Sequence, residues 1–297
     1  MTVTDRRGAG EHEVDDGDAR AVATVVEAAG LGPVERIEPL GGMTNRNYRV
    51  DTLLGAFAVR LPGAGSDAYI DRVAEAHNAR RAAALGLNCE VLHLDADGTM
   101  VCRFVEGEVV APGALAASGA RLEQVARALW CLHTAGGPFV GRFDPVAEAH
   151  RHRAALRGPA EESLPAEADD LLDTVAAFDL VGPLVPCHND AWPLNFVFTA
   201  GGVVLVDWEY SGLNDPGWDL AHLSVECGFD ADDHDRLLHA YCGGPPAPDL
   251  RRRVDLLRGV SDVVWGLWAL VQHADGNDAT DFEAYALERL GRAPTWW

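Results

Sequence analysis

Positive charge is scarce in this chain of 297 residues: 24 basic side chains stand against 46 acidic ones, a formal net charge of −22. A surface so acidic repels a polyanion, which argues against nucleic acid as a partner. Paired cysteines are missing too. Cys89, Cys102, Cys131, Cys187, Cys227 and Cys242 are scattered, with no Cys-x-x-Cys, and read as free buried thiols in a reducing compartment. His150 and His152 lie two apart in an Arg-rich stretch, a poor spacing for a metal site. The longest apolar run, residues 263–271, is too short to span a bilayer, and residues 1–18 are too polar and acidic for a signal peptide. No repeat period is visible. These absences predict a soluble, cytoplasmic protein with no membrane insertion, and they carry no signature of oligomeric state.

What is present suits a globular chain. Apolar residues make up 48% of 31.8 kDa, enough for one large domain or two lobes with real cores. Residues 1–17, rich in Gly, Asp and Glu, read as disordered. A helix is predicted over 18–29, with Asp18 as cap and Gly30 as stop. Strands follow at 34–39, 47–50 and 56–61. A long helix over 67–85 carries Glu75 and stops at Gly86, and a hairpin over 91–95 and 99–104 turns at Asp97-Gly98. Beyond a short hinge near 103–108 the chain becomes Ala-, Leu- and Arg-rich and mostly helical over 113–178, broken at Gly136-Gly137-Pro138 and Gly158-Pro159. Further helices are predicted over 217–227, 232–241, 249–274 and 278–290. The outline is α+β and bilobal, like a protein kinase: residues 18–106 form a small antiparallel sheet with one long helix, and residues 107–297 form a mostly helical lobe.

The segment 187–210, CHNDAWPLNFVFTAGGVVLVDWEY, interrupts those helices and carries the chemistry. His188-x-Asp190, four residues, then Asn195 is the spacing of a kinase catalytic loop. Residues 196–198 and 203–206 read as strands across a turn at Ala200-Gly201-Gly202, which returns Asp207 beside Asn195. Phosphoryl transfer needs an oxygen nucleophile in line with the γ-phosphate and positive charge over the phosphates. Asp190 is the candidate to take the proton of a substrate hydroxyl. Asn195 and Asp207, an amide oxygen and a carboxylate, suit Mg2+. His188 is expected to hold the loop backbone by a hydrogen bond, and Asp219, near a helix start, to brace the same loop.

A nucleotide also needs backbone amides and a fixed cation. Gly41 and Gly42, followed by Met43, Thr44 and Asn45, give a permissive turn between two strands, although such a turn alone is more often a plain hairpin. Arg60 lies mid-strand with Glu75 on the next helix, where protein kinases place a Lys–Glu pair. An arginine there keeps the charge and adds bidentate phosphate contacts. Arg103, Phe104 and Val105, at the hinge, complete the candidate ATP cleft.

With these residues in view, the chain resembles the choline/ethanolamine kinase family, in its bacterial branch, within the aminoglycoside-phosphotransferase-like fold. GGMTN at 41–45 resembles the family's phosphate loop, and VRLPGAGSDAYIDRVAE at 59–75 its basic strand and following helix. CHNDAWPLN at 187–195 and VDWEYSGLNDPGWDLAHLSVE at 206–226 resemble its catalytic and metal segments, and WGLW at 265–268 a segment lining the choline site. The likeness runs from about residue 40 to residue 290. It implies ATP- and Mg2+-dependent transfer to the hydroxyl of a small cationic amino alcohol, choline first. Ethanolamine, an aminoglycoside or thiamine are alternatives, and an inactive nucleotide- or choline-binding protein is a rival of another class. Asp190 is then the base, and Tyr210, Glu226, Trp265 and Trp268 fall at the ammonium end. Trp265 and Trp268, three apart, share one helix face, a spacing that by itself reads as core. Trp192 and Pro193 depart from some eukaryotic members, which carry polar residues there, and the insertions of those members are lacking.

Overall fold

Alternation in RNYRVDT and GAFAVRL gives two strands whose large apolar side chains point one way. They form the middle of a five-stranded antiparallel sheet in the computed structural model, which describes residues 14–297 except 64–69, 157–160, 162–163, 179 and 181. The strands are β1 (Val34–Gly41), β2 (Arg46–Thr52), β3 (Gly55–Leu61), β4 (Val91–Leu94) and β5 (Met100–Arg103), ordered β1-β2-β3-β5-β4. On one face Tyr48, Val50, Phe57, Val59, Leu61 and Val101 bury against Val22 and Val26 of helix α1 (Asp16–Ala28). Arg60 alternates with Val59 and Leu61, so it emerges on the other face.

Helix α1 begins earlier than expected. Asp15, not Asp18, is the cap, accepting hydrogen bonds from the backbone N–H of Gly17 and Asp18. Asp18 instead takes the Tyr48 hydroxyl and pairs with Arg46, so residues 14–17 are ordered; residues 1–13 of the expected disordered segment lie outside the described residues. Helix α2 (Arg72–Ala84) is shorter than 67–85, because Asp71 caps it from Val73 and Ala74; residues 67–69 lie outside the described ones. Asn78 of α2 bonds the carbonyls of Val140 and Ser211, which ties the helix to the second lobe.

That lobe contains α3 (Pro112–Ala116), α4 (Gly119–Ala135), α5 (Pro145–Ala155), α6 (Ala168–Ala176), α7 (Pro216–Glu226), α8 (Ala231–Cys242), α9 (Pro248–Ala274) and α10 (Phe282–Arg292). Glycines 136–137 end α4 as expected, while the break at Gly158-Pro159 lies outside the described residues. The last helix starts at Phe282, not 278, because Asp281 caps it. Helix α9 is the central member and packs against α5, α7 and α10. Two short ribbons, β6 (Val185–Cys187) with β9 (Gly212–Asn214) and β7 (Phe196–Thr199) with β8 (Gly202–Leu205), lie at the lobe boundary. Glu108 exchanges backbone hydrogen bonds with Phe198, so the segment leaving β5 joins the β7–β8 ribbon directly. All six cysteines are free, but they are not uniformly buried: Cys131 is partly accessible and Cys242 exposed. Among the described residues no helix is long and apolar enough to cross a membrane.

Candidate active site

The β6–β9 and β7–β8 ribbons bracket the loop 188–195. Val206 N–H donates to Asn195 C=O at 3.0 Å, so the returning strand sets Asp207 next to Asn195. His188 Nε2 lies 3.0 Å from Val206 O. Burial pushes the His188 imidazole below its ordinary pKa against the pull of Asp190 and Asp219, which keeps it neutral. Asp219 accepts the backbone N–H of His188 at 2.9 Å and of Asn189 at 2.8 Å, and His133 Nε2 lies 3.0 Å from it. Burial opposes the charged form of Asp219, but His133 and His188 outweigh it and hold the carboxyl below its usual value. Asn189 adopts φ +67°, and Asp207 φ +66°, left-handed conformations that side chains other than Gly rarely take. Trp218 Nε1–H to Asn189 O and Asn189 Nδ2 to Tyr210 O hold that bend.

Asp190 is fixed through both carboxylate oxygens. Asn195 Nδ2 donates to Oδ2 at 2.8 Å, and His222 Nε2 lies 3.3 Å from Oδ1. The Asn195 amide therefore faces Asp190 with its nitrogen, leaving its oxygen directed elsewhere.

Arg60 is 3% exposed and sits at the centre of an acidic cluster. Its guanidinium meets Glu75 Oε1 at 2.5 Å, Asp207 Oδ1 at 3.4 Å and Glu209 Oε2 at 3.9 Å, and it donates to Gly98 O. Arg72 joins Glu75 at 2.9 Å and Glu209 at 3.4 Å, and Asn45 Nδ2 donates to Glu209 Oε2 at 3.0 Å. The 41–45 loop is thus tied to the loop 207–210 through Asn45 and to the segment after α9 through Asn277 Nδ2, which donates to Met43 O. Gly41 and Gly42 turn at φ +78° and +152°, and Thr44 O lies so close to Gly63 that a Cβ there would come within 1.8 Å. Desolvation, then Glu209, raises the Asp207 carboxyl well above the ordinary carboxylate range, with Arg60 opposing; desolvation raises Glu209 likewise. Glu209 and Arg72 were not singled out in the sequence. The chain has no lysine, a count that by itself marks an arginine as the only basic residue able to take the Arg60 position.

At the hinge, Phe104 is buried under the Arg49 guanidinium, 4.4 Å above its ring. Arg103 is displaced from the expected cleft. It pairs in register with Phe57, lies over that ring and reaches Glu90, so its side chain is on the α1 face, opposite Arg60. Val105 packs with Val109, Val197 and Val206.

The residues expected at the acceptor end lie in one aromatic row. Tyr210 meets Trp265 edge-on at 5.2 Å, Trp265 meets Trp268 at 5.7 Å, and Trp268 meets Phe282 at 5.5 Å. Trp265 also lies 5.3 Å from the His222 ring, so the row abuts the residue that touches Asp190. The Glu226 side chain is 7% exposed and already paired with Arg289, which also contacts Asp262. That pairing, and His222 itself, were not read from the sequence. The Arg289 partner is 63 residues from Glu226, a distance at which no local pattern operates.

Residues 36–257 match the phosphotransferase enzyme family. The chain is 31% identical over 268 residues to the Protein LicA of Haemophilus influenzae, covering 86% of this chain and 77% of that protein. A choline/ethanolamine kinase family protein from Mesorhizobium loti is 36% identical, with a TM-score of 0.78 and 94% of each chain covered. The choline kinase LicA from Streptococcus pneumoniae is 27% identical, with a TM-score of 0.79 over 93% of this chain and 98% of that one. The two-lobed fold accords with these likenesses: the chain belongs to the phosphotransferase enzyme family, among the choline/ethanolamine kinases, and is a small-molecule kinase acting on an alcohol.

Proposed function

We propose that this kinase transfers the γ-phosphoryl group of ATP to the hydroxyl of choline. The observation that carries the choice is the Tyr210–Trp265–Trp268 row, whose middle member Trp265 is separated from Asp190 by the His222 ring. A trimethylammonium has no hydrogen-bond donor and is held by aromatic faces, each good contact giving about 0.5–2 kcal/mol. The likeness to a choline kinase from Streptococcus pneumoniae and a choline/ethanolamine kinase family protein from Mesorhizobium loti supports an amino alcohol acceptor.

Asp190 orients the hydroxyl and takes its proton as the oxygen attacks the γ-phosphorus and the bond to the bridging oxygen of ADP breaks. Arg60, aimed by Glu75 and Gly98 O, places its charge at the phosphates, and the 41–45 loop covers them with backbone N–H groups. The crowding of Asp190, Asp207 and Glu209, with Asp207 pushed towards its neutral form, fits a hard divalent cation in that cluster. Asn195 and Asp207 would hold Mg2+, which supplies neutralisation of the phosphate charge when bound. Asn195 would then serve both groups, its amide oxygen available as a ligand while its nitrogen donates to Asp190. We also propose the lobe boundary at 106/107 and Phe104 with Val105 as the adenine-side hinge.

The test is ADP release with choline, ethanolamine and the mono- and dimethylated intermediates. The expected order of kcat/KM follows methylation, with steps of about 1–3 kcal/mol per methyl. ADP release that no added alcohol stimulates overturns the proposal.

A further inference from the structure

His222 has no part in the motif that identifies the loop, yet it joins the two halves of the site. It lies on α7, is 2% exposed, and presents Nε2 to Asp190 Oδ1 at 3.3 Å. Its other nitrogen, Nδ1, is 3.0 Å from Ser261 Oγ on α9 and 3.6 Å from Glu226 Oε1. The ring runs parallel to Trp218, tilted by 5° at 6.2 Å, with Trp265 on its border at 5.3 Å. An imidazole held this way cannot rotate without losing contacts on both edges.

We propose that His222 is a positioning residue for phosphoryl transfer: it fixes the Asp190 carboxylate against the aromatic row, so that base and acceptor pocket keep one register. The inference rests on Asp190 being the base. Oδ2 of Asp190 is held by Asn195 and Oδ1 by His222, so loss of either donor frees the carboxylate to rotate. In the neutral ring Nε2–H donates to Asp190 and Nδ1 accepts the Ser261 hydroxyl proton. The charged groups facing the ring are Asp190 from the loop and Glu226 from α7. Behind Glu226 lies Arg289 on α10, with Tyr285 within its electrostatic reach; Asp262 on α9 is turned to Arg289 and Arg292.

The experiment compares His222→Ala and His222→Gln, with nucleotide affinity and melting temperature as controls on folding. In His222→Ala, kcat falls about 10–100-fold, the scale on which a slightly misplaced catalytic group costs rate, while KM for the alcohol stays within about threefold. In His222→Gln the amide restores the donor and most of kcat, with KM for the alcohol again close to the wild-type value. Full kcat in His222→Ala, or a Gln variant as slow as the Ala one, overturns the proposal. An imidazole NMR spectrum at fixed pH separates this outcome from failure of the kinase reading. The His222 ring Nε2–H signal, assigned by its loss in His222→Gln, shifts in Asp190→Ala; an unmoved signal overturns the contact even if no alcohol is phosphorylated.

Discussion

At Arg60 a single guanidinium meets Glu75, Asp207, Glu209 and a backbone carbonyl while almost wholly removed from water. Removing it leaves buried carboxylates without their counter-charge, a loss of about 3–5 kcal/mol by the usual behaviour of broken buried pairs. Arg60→Met is expected to lower urea-unfolding stability on that scale, and Arg60→Lys by clearly less, because a point charge survives without the fork. Equal losses in the two variants count against a charge role. For Asp190→Asn the expectation is a rate loss on the order of 10²–10⁴-fold with nucleotide affinity unchanged, and near-normal turnover rules Asp190 out as base. Trp265→Ala should raise KM for choline much more than for ethanolamine; a uniform effect would assign the residue to packing alone. These residues were unequally legible. Asp190, Asn195 and Asp207 stand in a fixed local spacing, whereas Glu209 is bound to Asn45 across 164 positions and His222 to Asp190 across 32.

Helix α5 shows what burial does to an element. His152 is buried on it, and desolvation, with Arg151 adding, lowers its pKa to about 4. Between about pH 6.5 and pH 4 the unfolded chain binds a proton that the folded chain refuses, so stability falls as pH drops through that window and is flat above it. The full effect is on the order of 3 kcal/mol, and His188, shifted the same way, adds to it. Chemical denaturation of the wild type should show this decline, and His152→Leu should flatten it; an unchanged slope in the variant excludes His152 as the source. Strand and helix existence followed from periodicity, as in β2, β3 and α9, because alternation and the helical repeat are properties of neighbouring residues. Boundaries did not. Asp15 and Asp18 are equally good caps on paper, and Asp18 is diverted only because Tyr48 and Arg46 reach it from β2. Arg103 was read as a cleft residue because it adjoins the hinge, and the pleat sends it to the opposite face.

For the whole molecule, a net charge of −22 sets a background of self-repulsion, and the lobes are held across it by specific polar ties: Asn45 to Glu209, Asn277 to Met43, Asn78 to Val140 and Ser211. Screening should relieve that repulsion. The melting temperature is expected to rise between about 10 mM and 500 mM NaCl, as the Debye length shrinks from about 30 Å towards a few ångströms. A midpoint that falls with salt would mean that ion pairs, rather than repulsion, dominate.

The sequence by itself determined the α+β outline, the catalytic spacing and the candidate aromatic pair, since each is written in the distances between neighbours along the chain. Only the tertiary structure decided which charges meet. Arg60 reaches Asp207 across 147 positions, Arg289 claims Glu226, and His222 closes the gap between base and aromatic row. A buried charge is stable only beside a partner, and in a chain with so many acids that partner is chosen by the closing of two lobes, not by any local pattern.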